Sequence, residues 1–150
     1  MRPRVTFVVP CYNLGHLLSE CLTSIITQSY TDLEVLVMDD CSPDATPQVA
    51  GRIADPRVQH VRNATNLGHL RNYNAGIAMA RGEYVWLISA DDKLRKPYVV
   101  ERFVEHLDRH RRPGFAVGER HEDHAVAAER LPVPRSVLPD KDAVAKSRAE

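Results

Sequence analysis

The chain has 150 residues, the size of one domain, and 43% hydrophobic content is enough for a layered core, which argues against a disordered chain. Lys plus Arg and Asp plus Glu both total 20, so the formal net charge is zero and no global field draws the protein to nucleic acid or an anionic membrane. Any polyanion has to be met locally. The three cysteines, Cys11, Cys21 and Cys41, show no CxxC or other zinc spacing. An odd set of this kind fits reduced thiols used as small fillers in a cytosolic protein better than a disulfide framework. No apolar stretch approaches the roughly 20 residues that span a bilayer, and Pro10 interrupts the first apolar run before a signal-peptide core forms. The chain reads as cytoplasmic.

The first element is "VTFVV" (5–9), β-branched and bounded by Pro10, which reads as a buried strand. Leu14, Leu17, Leu18, Cys21, Leu22, Ile25 and Ile26 then recur at helical spacing, with Asn13 placed to cap the helix start. "LEVLVM" (33–38) is a second strand, ended by Asp39 and Asp40. A second helix follows, with Thr46 as its cap and Pro47 at its first position. "VQHVR" (58–62) is a third, weaker strand, followed by a loop and a helix closed by Gly82. "YVWLIS" (84–89) is the fourth strand, and Val100, Phe103, Val104 and Leu107 give one apolar face of a further helix that ends at "RHRRP". Trp86, Phe103 and Phe115 are assigned to the core.

Strands alternating with helices at this pitch predict an α/β fold: an open, mostly parallel sheet with helices on both faces, joined by right-handed crossovers. In such sheets ligands bind outside the carboxyl ends of the strands, where strand order reverses. The polar residues that stand out lie just past strand ends: Tyr12 and Asn13, Asp39 and Asp40, Asn63 and Asn66, Asp91 and Asp92. One edge of the sheet therefore carries the chemistry. The first strand-to-helix turn, "PCYNLGH", has neither the GxGxxG fingerprint nor the GxxxxGK[ST] phosphate loop. If the ligand is a diphosphate, Mg²⁺ or Mn²⁺ held by one or two carboxylates is the economical way to meet its charge. Asp91 and Asp92 suit that task; the alternative is a turn in which Asp92 caps a helix.

"VTFVVPCYN", "CLTSIITQSYTDLEVLVMDDCSPDAT" and "NLGHLRNYNAGIAMARGEYVWLISADD", in this order and spacing, resemble the nucleotide-sugar-binding half of family 2 glycosyltransferases of the GT-A (Rossmann-like) fold. The likeness runs from about residue 4 to about residue 108. It implies an inverting enzyme that moves a sugar from a nucleoside diphosphate, UDP by expectation, to a hydroxyl acceptor with the help of Mn²⁺ or Mg²⁺. Pro10, Tyr12 and Asn13 match the turn that borders base and ribose. Asp39 matches the carboxylate that accepts the uracil ring N–H, and Asp40 the second member of that pair, as ligand contact or as loop cap. Asn66, Gly68, Asn74 and Gly76 match the third-helix pattern.

Two departures stand out. Tyr73 occupies the place where the family carries an arginine, and Arg71, two residues earlier and over half a helical turn away, is kept as a diphosphate contact. Ser89 stands where the family has an additional aspartate, leaving Asp92 as the expected metal ligand and Asp91 as the expected partner of the sugar or ribose.

The division drawn from the sequence is a donor-binding subdomain over 1–112 and a weakly patterned segment over 113–150, the start or remnant of an acceptor region, so the chain reads as one cut short. No catalytic base is assigned. Glu122 and Asp123 in "HEDH" imitate an acid pair but come too early, and His121 and His124 fit a polar loop better than a metal site. The implied partners are a nucleotide sugar and an acceptor that is a glycan, a lipid-linked sugar or a small molecule, with no nucleic acid and no transmembrane segment. Cell-surface polysaccharide synthesis at the inner face of the membrane is the implied setting, and an uncovered sheet edge is expected to favour self-association. Two other readings stand beside this one: a module that binds nucleotide sugar without transfer, and a nucleotidyltransferase, against which the absence of a glycine-rich basic turn speaks.

Overall fold

A computed structural model of the chain describes residues 2–110, 114–118 and 125–129. Strands β1 (Val5–Cys11), β2 (Leu33–Asp39), β3 (Val58–Arg62) and β4 (Tyr84–Leu87) form one all-parallel sheet in the order β3-β2-β1-β4. Helices α1 (Gly15–Ile26), α2 (Thr46–Gly51) and α3 (His69–Met79) connect them, and α4 (Val99–His110) follows β4. Strands β5 (Gly114–Gly118) and β6 (Ala125–Glu129) pair antiparallel with each other. The expected open α/β sheet with helices on both faces is what the chain forms.

β1 and β2 are buried along their whole length, as strands covered on both faces must be, and so read as near-continuous apolar runs. Val5, Phe7 and Val9 of β1 and Leu33, Val35 and Val37 of β2 pack with Leu18, Cys21, Leu22 and Ile25 of α1, and with Ala50 of α2 and Val100 and Val104 of α4. The alternate residues Val8, Leu36 and Met38 pack with Ala75 and Met79 of α3 on the other face. Each fully buried Val, Leu, Ile or Phe contributes about 1.5–3 kcal/mol relative to exposure. Phe7, Trp86 and Phe103 stack in a column, with ring centroids 5.3 and 4.6 Å apart, that ties β1, β4 and α4 together. Trp86 packs half-buried against the core and Phe103, also half-buried, packs on Trp86, whereas the side chain of Phe115 lies outside what is described. Gly76 lets α3 approach the sheet: a Cβ there would lie 2.4 Å from Val8 Cγ1.

The structure moves several boundaries. β1 runs through Pro10 to Cys11 because β1 pairs with β4 only over Val5–Val8, so the missing Pro10 N–H falls past the end of that ladder. β4 stops at Leu87 where Ile88 and Ser89 were expected to extend it. Asn13 does not cap α1; Leu14 takes the cap position and Asn13 adopts a left-handed φ of 58°. Thr46 is the first residue of α2 and not its cap, with Ala45 preceding it, and α3 ends at Met79 rather than at Gly82.

Candidate functional site

Strand order reverses at β1, with β2 and β3 to one side and β4 to the other, so the carboxyl ends of these strands frame a crevice. A cavity of about 400 Å³ opens there, walled by Pro10, Tyr12, Asp40, His69, Tyr73 and Ser89 among others. A smaller cavity of about 230 Å³ lies at the opposite end of the strands, beside Glu34 and Arg81.

Successive side chains of a strand point to opposite faces, and this separates the two neighbouring aspartates at the end of β2. Asp39 continues the face of Val35 and Val37. It is 0% exposed; Oδ1 accepts the Ser42 N–H at 2.8 Å, and Oδ2 meets Arg62 Nη1 at 2.6 Å and His60 Nε2 at 3.2 Å. Burial alone would raise the Asp39 carboxyl, but the hydrogen bonds from Ser42, Arg62 and His60 outweigh it and hold the group below the usual carboxylate range. Asp39, the carboxylate expected to read a base, is thus buried and does not line the cavity, and its described hydrogen bonds go to the protein itself.

Asp40 is the carboxylate on the cavity wall. Oδ1 accepts from Asn63 Nδ2 and from the Leu67 N–H, both at 2.8 Å, and Oδ2 accepts the Gly68 N–H at 2.9 Å. A carboxylate offers about four lone-pair positions, so these three bonds leave roughly one on Oδ2. Asn63 Nδ2 also donates to Asn72 Oδ1 at 2.9 Å, and Asn72 Nδ2 donates to the Met38 carbonyl at 2.8 Å, which locks α3 to the end of β2.

The other walls are aromatic. Tyr12, half exposed, stands on the turn after β1, and His69 and Tyr73 of α3 meet edge to face with centroids 5.9 Å apart. Among the described residues no lysine or arginine lines the cavity, and Arg71 is exposed on α3 away from its wall. Geometry therefore does not bring Arg71 to the cavity. Asn66 and Gly68 do line it, while Gly76 serves helix packing and Asn74 is half-buried on α3 outside the wall. Asn13 adjoins the cavity through Tyr12.

Ser89 links the cavity to the acid pair: it lines the wall, and its carbonyl accepts the Asp92 N–H at 2.9 Å in the turn that carries Asp91 and Asp92. Both aspartates are exposed, and among the described residues no group of three or more His, Cys, Asp or Glu is placed to hold a metal. Two adjacent, accessible carboxylates fit a hard cation that completes its shell with water and phosphate oxygens, the usual mode of Mg²⁺. Behind the turn, burial first, then the fields of Asp92, Cys11 and Asp91, push the Cys21 thiol up to about 12, and it donates to the Ser89 carbonyl at 3.5 Å. Burial likewise pushes up the Cys11 thiol. Both are protonated packing groups.

His69 and Asn72 were not picked out by sequence reasoning. The spacing of His69, Asn72, Tyr73 and Gly76, at i, i+3, i+4 and i+7, places them on one helical face and was the available signal. Glu122, Asp123, His121 and His124 lie outside the described residues.

An open parallel four-stranded sheet with helices on both faces is the architecture of GT-A glycosyltransferases, and solved structures of that class superpose on it. The chain belongs to glycosyl transferase family 2, whose sequence model matches residues 6–134. The first 349 residues of Staphylococcus aureus TarS, in complex with UDP, superpose with a TM-score of 0.68 at 27% identity, covering 72% of this chain and 33% of that one. The Pyrobaculum calidifontis mannosyltransferase PcManGT, in complex with GDP-Man and Mn²⁺, gives 0.65 at 33% identity, covering 71% and 33%. The succinoglycan biosynthesis protein ExoO of Rhizobium meliloti is 40% identical over 106 residues, 71% of this chain and 30% of its own length. The chain spans about a third of the length of these relatives.

Proposed function

We propose that residues 1–112 form the donor site of an inverting glycosyltransferase that takes a sugar from UDP and passes it to a hydroxyl group. The observation that carries this reading is the juxtaposition, through Ser89, of the Asp40-walled cavity with the Asp91–Asp92 turn. The cavity takes the base: Pro10 and Tyr12 border it, and the remaining acceptor position of Asp40 receives the ring N–H. Asp92 holds Mn²⁺ or Mg²⁺ and Asp91 orients the ribose or sugar. With no cation on the cavity wall, nothing else described there balances a diphosphate. When bound, the divalent ion stabilises the charge that develops on the leaving diphosphate. The donor complexes of TarS with UDP-GlcNAc and of PcManGT with GDP-Man and Mn²⁺ support this choice of ligand class.

The acceptor of the whole protein is, in this reading, a glycan, lipid-linked sugar or small molecule, and the name of ExoO, a succinoglycan biosynthesis protein, supports a role in polysaccharide synthesis. No described helix is long and apolar enough to cross a membrane. Val85 and Leu87 of edge strand β4 are 41% and 46% exposed, an apolar face that the described residues leave uncovered and that would favour self-association.

Titration calorimetry of the chain with UDP, GDP, CDP and ADP, each with Mn²⁺ and with chelator, tests the reading. UDP binding that vanishes with chelator is expected. Equal affinity in both conditions removes the metal from the proposal, and no binding of any nucleoside diphosphate removes the donor site.

A further inference from the structure

We infer that Ser42, held in place by Asp39, is a positioning residue that sets the orientation of Tyr12 in the cavity, an inference that rests on reading the cavity as a donor site. Tyr12 lines the cavity but is half exposed, so side-chain packing does little to fix its ring. Its direction depends on the backbone of the turn. In that turn Asn13 sits at φ 58°, a left-handed conformation that asparagine tolerates better than most residues but that still needs contacts to hold it in place.

The contacts that hold it come from the loop after β2. The Asn13 N–H donates to Ser42 Oγ at 3.1 Å, and on the other side of Tyr12 the Cys11 carbonyl accepts the Asp40 N–H at 2.9 Å. Tyr12 is thus pinned at both of its neighbours by one loop. α1 has no side-chain cap of its own, and its first residue, Gly15, gives its N–H to Asp44 Oδ2 of the same loop at 2.8 Å. Here the two loops touch backbone to backbone, since a Cβ on Gly15 would lie 2.7 Å from Thr46 N.

Ser42 is rigid for a reason. It is buried; its N–H donates to Asp39 Oδ1 at 2.8 Å and its carbonyl accepts from Arg62 Nη2 at 2.9 Å. Asp39 is fixed in turn by Arg62 and His60. A chain of hydrogen bonds therefore runs from β3 through Asp39 and Ser42 to the turn that presents Tyr12. Asp39 touches no part of the cavity, yet it acts on the site through Ser42.

The test compares Ser42→Ala, Ser42→Thr, Tyr12→Ala and the Ser42→Ala/Tyr12→Ala double variant, all in the full chain. Without ligand, amide hydrogen exchange in residues 12–15 is expected to quicken about three- to tenfold in Ser42→Ala, the size expected for one lost hydrogen bond. Protection should be retained in Ser42→Thr, which keeps the hydroxyl, and peptides from β1 and β2 should be unchanged in both. With Mn²⁺, UDP affinity should fall by a similar factor in Ser42→Ala but show no further fall when the change is made in Tyr12→Ala. Unchanged exchange in Ser42→Ala, or affinity losses that simply add, overturns the inference. Absence of nucleotide binding in the unaltered chain counts against the donor-site reading alone, and the exchange result then decides the positioning role by itself.

Discussion

The Asp92 N–H donates to the Ser89 carbonyl at 2.9 Å, and this one bond folds the chain after β4 so that an exposed acid pair follows directly on a cavity-lining residue. A turn of this kind positions the carboxylates by backbone geometry, so replacing their side chains should alter binding more than folding. Asp92→Asn is expected to weaken Mn²⁺-dependent UDP binding by about tenfold or more, and by more than Asp91→Asn, as for the loss of a charged ligand group. Calorimetry with each variant gives the order, and the reverse order would move the cation to Asp91.

Asp40→Asn should weaken UDP binding by roughly 10- to 150-fold, the range of a charged hydrogen bond of about 1.5–3 kcal/mol. An amide supplies one acceptor oxygen where Asp40 now serves Asn63, Leu67 and Gly68 through two, so the loop before α3 loosens as well. Competition among nucleoside diphosphates should show UDP losing its advantage. Undiminished selectivity would assign Asp40 to the loop alone.

Acid should destabilise the chain through Asp39 and Glu34. Burial raises the Glu34 carboxyl, but Arg81 and Thr6, bonded to its oxygens at 2.8 and 2.7 Å, outweigh this and lower it, as Ser42, Arg62 and His60 lower Asp39. A carboxyl depressed in the folded state contributes stability that is complete above its unfolded value, about 4, and lost as pH falls below that toward the folded value. Melting temperature should hold level from neutrality to about pH 5 and drop below about pH 4. In Glu34→Gln or Asp39→Asn the starting value should be lower and the acid slope shallower; an unchanged slope would deny the linkage.

Gly76→Ala should cost about 1–3 kcal/mol, the usual penalty of overpacking, because the added methyl would sit 2.4 Å from Val8 Cγ1 and 2.9 Å from Met38 Cγ. Relief by moving α3 outward would carry Tyr73 and His69 away from the cavity. Denaturant unfolding should show the loss, and UDP affinity should fall with it. Full stability in this variant would mean that Val8 and Met38 repack freely.

The sequence by itself determined the alternation of strands and helices, because the switch from β-branched apolar runs to 3.6-residue spacing is local. It also placed Tyr12, Asp40, Asn66 and Asp91 with Asp92 just past strand ends, since a parallel sheet gathers those ends on one edge. Tertiary structure alone decided which of two adjacent aspartates lines the cavity. Asp39 stands in register with Arg62 of β3, and two of its three partners, His60 and Arg62, lie more than twenty residues away. Tertiary structure also decided how the turn after β1 is held. Sequence logic made Asn13 its own cap, whereas Ser42 and Asp44, from a loop about thirty residues further on, supply the acceptors. Local propensity reports what a residue does for its own turn. A hydrogen bond between two loops exists only once the sheet has brought them side by side, and the geometry of this site is built from such bonds.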